Sequence, residues 1–221
     1  MDALAAGSAQ PISEAMRTFL LITAIALVPM ALLISSCFLR LIVILSLLRT
    51  ALGSPSLPPT MVLTGLALVL TWMAMAPTWT QVQEQAIDPL LAGEIGFSEA
   101  VEAATGPMRT YMLHYAKKRD LRRMLELQGA STDQPVEQLS LSTLIPAYVL
   151  SELSSAFTIG VLIFIPFILV DLIIASLLLS LGMMMVPPTV ISLPVKLALF
   201  VMVDGWSLLI GRVMAPLVGG S

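Results

Sequence analysis

Between Leu144 and Met214 the chain carries only five charges, Glu152, Asp171, Lys196, Asp204 and Arg212, in a run that is otherwise apolar or small. A stretch of this kind has no face to give to water. It is best counted in helices of about 20 apolar residues, the length that crosses a bilayer. Charges in so apolar a setting are costly unless paired or wetted, so each of the five needs a partner.

Composition extends this reading to the whole chain. Of its 221 residues, 57% are hydrophobic and 11% charged, and the mean hydropathy is +0.95; a soluble domain has about 45–50% apolar and about 25% charged residues. The net charge of −3 singles out no partner. The basic residues are too few and scattered for nucleic acid, apart from Lys117, Lys118, Arg119, Arg122 and Arg123, which read as a solvated helix face or a contact for an anionic partner. Cys37 is the single cysteine, so no intrachain disulfide forms, and with its apolar neighbours it reads as a small buried hydrophobe. His114 is the single histidine and reads as solvated; no zinc site is assembled from Cys and His ligands. No glycine-rich loop followed by Lys is present to bind nucleotide. No cofactor is expected.

Residues 1–17 form a small, polar, slightly acidic leader without the basic flank of a secretory signal. Residues 18–80 read as a first apolar hairpin. Its first arm runs from Thr18 through "LIVILSLL" to Arg49, with a kink expected at Pro29 and with Arg40 marking an interface or a protein-facing position. "TALGSPSLPPT" is a turn cluster, with Thr60 expected as the N-cap of a second arm from Met61 to about Thr80, which offers Trp72 and Trp79 as interface anchors. Residues 81–140 hold most of the charge in a small water-facing helical domain. Within it "TGPMRTYMLHYAKKRDLRRMLELQG" predicts one helix, capped by Thr105, with Pro107 in its first turn and Gly129 as its stop. Residues 141–221 form a second apolar hairpin. The fold class is therefore all-α: membrane-associated helical hairpins, about four long apolar helices, with a small polar helical domain inserted between the two halves.

"LGMMMVPP", Leu181 to Pro188, is the turn of the second hairpin. Pro187 and Pro188 prevent the turn from being absorbed into one long helix. Methionine is unbranched and polarizable, so Met183, Met184 and Met185 can repack as the gap around them changes. A compliant seal, a packed helix end and a loop dipping into lipid all fit this pattern. If the chain folds back around Met184 and Met185, Asp171 and Lys196 reach nearly the same height at about 1.5 Å of rise per residue, and they form a hypothetical structural ion pair. The alternative is that each meets a neighbouring subunit or trapped water.

"PAYVLSELSSAFTIG", "IPFILVDLIIASLLLSLGMMMVPP" and "LPVKLALFVMVDGWSLL" resemble the signature region of the FliP/SctR family, and "FLRLIVILSLLRTALGSPSLPPTMVLTGLAL" is similar to its first hairpin. The resemblance runs from about Phe19 to Leu209, and "VPP" with the compact polar domain is closer to flagellar than to injectisome members. It implies a non-enzymatic core subunit of an export gate in the bacterial inner membrane. In the family, several copies, five by this reading, assemble with FliQ and FliR, close to FlhB and FlhA, and unfolded export substrates pass through. By the same resemblance Met183, Met184 and Met185 match the family's pore gasket, the polar domain is periplasmic, and apolar helix surface faces other subunits as well as membrane lipid. Thr158 departs from the pattern, since the family usually has Lys, Arg, Gln or Glu there. Many flagellar members carry a cleavable N-terminal signal, which residues 1–17 do not resemble.

Two other classes stand beside this one. A small-solute secondary transporter or proton-coupled channel would use Asp171 and Asp204 with proline-broken helices, but the two apolar halves show no evident sequence symmetry. An intramembrane aspartyl protease would share a proton between the same two acids.

Overall fold

The computed structural model describes residues 26–54, 56–129 and 139–218, together with Met16, Thr18, Phe19, Ile22 and Thr23; the leader expected over residues 1–17 lies, apart from Met16, outside the described residues. All regular structure among them is helical. Three apolar segments form bent helix pairs. α1 (Ala26–Ile34) meets α2 (Phe38–Ala51) at 68°, α3 (Thr60–Ala74) meets α4 (Ala76–Val82) and the helical turns beyond it at 64°, and α9 (Pro188–Met202) meets α10 (Gly205–Val218) at 65°. The fourth, α8 (Leu141–Ser180), is one helix of 40 residues, about 60 Å long at 1.5 Å per residue. By length and composition α8 alone can cross a membrane, or four segments can if each bent pair counts as one span.

Side chains, rather than the first proline, decide where the first arm bends. The expected kink at Pro29 is not the break, which falls at Ser35–Cys37. There Ser35 Oγ donates to the Ala31 carbonyl at 2.6 Å and Ser36 Oγ to the Leu33 carbonyl at 3.0 Å, while Ser36 Oγ also accepts from Phe38 N–H at 3.3 Å. These local bonds replace the helical ladder and turn the chain. In the second arm Pro77 lies in the first turn of α4; it has no N–H to continue α3 and its ring crowds the carbonyl four residues back. Thr60 is not the N-cap: Pro59 holds that place, and Thr60 Oγ1 instead accepts from Arg49 Nη1 at 2.8 Å.

The polar segment also differs from its expectation. After the π-helical turn Gln83–Ile87 and α5 (Asp88–Leu91), α6 runs Phe97–Tyr115 and α7 runs Lys118–Leu127, so Thr105 and Pro107 lie inside α6 and do not start a helix. The helix begins earlier because Gly96 and Glu99 close a cap there, Glu99 Oε2 accepting from Gly96 N–H at 3.0 Å. It breaks at Ala116 and Lys117, both extended, where Lys117 N–H donates to Ser151 Oγ of α8 at 2.9 Å. Gly129, at φ 66°, follows α7 as expected of a stop.

Polar and apolar segments share one core. α2 packs on both α3 and α8, and its Leu41, Ile44, Leu45 and Leu48 join Leu63, Ala67, Ala147 and Tyr148. Met108, Tyr111 and Met112 of α6, with Leu121 and Leu125 of α7, belong to the same cluster. Gly160 marks a close approach of α8 to α2, since a Cβ there would lie 2.2 Å from Leu47 Cδ1. Beyond Gly160 the long helix emerges: in its most apolar 18-residue stretch only 11% of residues are buried.

Candidate functional site

The hairpin between α8 and α9 is built by a glycine and two prolines. Gly182 sits at φ 72°, its N–H donates to the Leu179 carbonyl at 3.1 Å, and Met183 N–H reaches back to the Leu178 carbonyl at 2.9 Å. This pair of bonds is the Schellman arrangement, which satisfies the last carbonyls of a helix and reverses the chain. Pro187 is extended and Pro188 occupies the first turn of α9, a place where the missing N–H costs nothing. Between these two fixed ends stand the methionines, with exposure rising from 42% at Met183 through 80% at Met184 to 98% at Met185. The chain itself half covers Met183 but supplies almost no packing for Met184 and Met185. A packed helix end is therefore not the role of Met184 and Met185 within one copy.

Behind the loop the structure brings Asp171 and Lys196 together. Lys196 Nζ donates to Asp171 Oδ2 at 2.6 Å and to the Ala51 carbonyl at 3.1 Å. The ammonium is buried while the Asp171 side chain keeps 40% of its exposure. Lys196 thus ties α8 and α9 to the C-terminal end of α2, and it meets the negative end of that helix as well as a carboxylate.

A second pair was not predicted. Arg40 and Glu152, 112 residues apart, form a bidentate bridge, with Nε–Oε2 at 2.8 Å and Nη2–Oε1 at 2.5 Å, both side chains buried. The Arg40 guanidinium also lies 5.6 Å from the centre of the Tyr115 ring, a cation–π distance. Arg40 thus takes a protein-facing position. Complementary sign and burial were the only signals in the sequence, because spacing links nothing across 112 residues. Close by, Ser151 Oγ donates to Asp120 Oδ2 at 2.8 Å, fixing α7 to α8. Burial pushes the Tyr111 and Tyr115 phenols up from their ordinary range, so both stay neutral.

Apolar sequence around Glu152, Asp204, Arg212 and Arg40 predicts that all four are buried, but two of them, Asp204 and Arg212, are exposed in the single chain. Asp204 lies in the break between α9 and α10 at φ 50°, and Arg212 is on the outer face of α10. A helix break exposes the side chain that forms it, and α10 turns Leu209 and Val213 inward in place of Arg212. Gly205 beside the break is tightly packed, as a Cβ there would come within 2.3 Å of the Phe200 ring. Thr158 is exposed and donates to the Ser154 carbonyl of its own helix at 2.8 Å. Cys37 is buried and His114 exposed. Trp72 and Trp79 stack on each other at 6.2 Å. Among the described residues no group of three or more His, Cys, Asp or Glu side chains is arranged to hold a metal.

A sequence model described as the FliP family matches residues 21–213. The chain belongs to the FliP family. It is 40% identical over 199 residues to the flagellar biosynthetic protein FliP of Bacillus subtilis (strain 168), covering 90% of each chain. To the protein of that name from Pectobacterium carotovorum subsp. carotovorum it is 46% identical over 195 residues, 88% of this chain and 76% of the relative. To the one from Caulobacter vibrioides it is 42% identical over 201 residues, 91% and 76% of the two chains. The FliP match takes in both apolar hairpins, the polar helices between them and the methionine loop.

Proposed function

We propose that this chain is a core subunit of the flagellar export gate, forming part of the channel through which unfolded proteins cross the inner membrane. The observation that carries this reading is the loop Met183–Met185: three compliant apolar side chains, increasingly bare toward Met185 in the single chain, held on a fixed turn at the end of a hairpin. Such side chains close against one another to exclude ions and then wrap a passing chain whose side chains vary in size. The exposed face of α8 supports an assembly, because an apolar surface of that length needs lipid or other helices to cover it. The proposed assembly is several copies, five by family resemblance, with FliQ and FliR, near FlhB and FlhA. Its role is that of a conduit, not a catalyst. In this reading residues 81–140 form a polar layer on the periplasmic side, between apolar hairpins at 18–80 and 141–221.

The solute-transporter and protease readings gain nothing from the geometry: Asp171 is held by Lys196, and Asp204 lies exposed at a helix break. Deleting Met183 to Met185 in cells that keep the companion subunits tests the proposal. Membrane ion leakage is expected to rise while the complex still assembles. An assembled complex with unchanged leakage and unchanged secretion of flagellar proteins would overturn the assignment of the seal.

A further inference from the structure

Charge is segregated along the polar layer. From Ala51 to Met108 the chain has no Lys or Arg, yet it carries Glu84, Asp88, Glu94, Glu99 and Glu102, all exposed. These acids lie on the π-helical turn, α5 and the first half of α6 and the loop between them, and the π-helical turn and α5 pack against α6. On α7, Lys118, Arg119, Arg122 and Arg123 recur at one- and four-residue spacing on the exposed face, opposite buried Leu121 and Leu125. Asp120 is buried against Ser151, so Glu126 is the one exposed acid on that helix. Arg119, Arg122, Arg123 and Glu126 line a shallow concavity of about 710 Å³ between α7 and Leu150 of α8. Among the described residues, no ion pair joins an acid of the first set to a base of the second. Glu99 spends one oxygen on its helix cap, while Lys117 and Arg119 donate to Ser154.

Arg119 Nε also bridges Asp120 Oδ1 at 3.1 Å, but one molecule still presents two faces of opposite sign that do not pair with each other. We propose that they use each other: the basic face of α7 on one copy docks against the acidic arm, residues 84–102, of the next copy. The inference rests on the reading of the chain as a homo-oligomer and adds which surfaces meet. A two-fold contact through α7 would set four cations against four cations, which is repulsive. A head-to-tail contact pairs each copy's basic face with its neighbour's acidic arm, the arrangement that builds a ring or a helical array of more than two copies. Opposite potentials also steer encounter and fix register.

The experiment uses full-length chain co-produced with its companion subunits, with isotopically light and heavy copies mixed before assembly. A zero-length carbodiimide, which couples carboxylates to amines, is then applied. Heavy–light peptides joining Lys117 or Lys118 to residues 84–102 are expected, and they should decline as salt is raised. Reversing Arg119, Arg122 and Arg123 to Glu is expected to weaken association on the order of tenfold. Adding Asp88→Lys, Glu94→Lys and Glu102→Lys should restore it. Heavy–light links at other sites with none between these faces would overturn the inference while leaving the oligomer intact. So would an unchanged oligomer in the Arg variant accompanied by lost binding to phosphatidylglycerol vesicles, which would assign the basic face to lipid. Absence of any heavy–light link would instead overturn the homo-oligomer reading itself.

Discussion

Lys196 is the side chain on which the second hairpin depends most. Its ammonium is buried and has two acceptors, one on α8 and one at the end of α2, whereas Asp171 is partly open to its surroundings. Lys196→Met is therefore expected to lower the thermal midpoint of the purified chain more than Asp171→Asn does. Equal effects would mean that the carboxylate, and not the three-helix junction, carries the interaction. A simple charge swap is a poor test, because it would set a carboxylate against the Ala51 carbonyl. Glu152→Gln leaves the Arg40 guanidinium buried without its counter-charge, and breaking a buried pair costs about 3–5 kcal/mol. In a double-mutant cycle, Arg40→Met with Glu152→Leu should destabilise by clearly less than the sum of the single changes. Additivity would contradict the pairing. The contact of Asp171 with Lys196 lies at the height that helical rise around Met184 and Met185 gives. That of Arg40 with Glu152 was not legible, since it depends on how two separate hairpins dock.

At the scale of elements, what the sequence made legible was apolar length; what it concealed was the local competition that bends helices. Pro29 lies inside α1 without breaking it whereas Pro77 follows the end of α3, and Ser35 and Ser36 turn the first arm through side-chain bonds that hydropathy does not register. Two prolines even lie inside α8 without interrupting it. The reversal at Gly182 was more readable, because three local signals coincide there: the end of an apolar run, a glycine and two following prolines. A side chain at φ 72° costs about 1–2 kcal/mol. Gly182→Val is accordingly expected to disturb the loop and reduce secretion of flagellar proteins, with the amount of assembled complex close to normal. Unaltered secretion would show that the reversal tolerates a distorted turn. Gly205→Ala should drive the Phe200 ring from its place beside Trp206, and a fall in the thermal midpoint is the expected reading.

On the scale of the whole molecule, the described residues combine a shared core with long exposed apolar faces. α2, α3, α6, α7 and the first half of α8 share a core, whereas the second half of α8 is covered on one side only, by α9 through Phe167, Phe200 and the Asp171–Lys196 pair, and leaves its other side and the tip of the methionine loop bare. Hydropathy treats both halves alike, because a side chain buried by its own chain and one buried by lipid or a partner have the same chemistry. Asp204 and Arg212 are exposed in the single copy, although both lie in apolar sequence. The central claim is that the bare methionines meet the exported chain. A photoreactive side chain at position 184, in cells holding a substrate stalled midway through export, tests this most directly. The account predicts light-dependent crosslinks from position 184 to the stalled substrate and none from Leu172 on the outer face of α8. A stalled substrate that never crosslinks at 184, in a complex shown to be assembled, would contradict it.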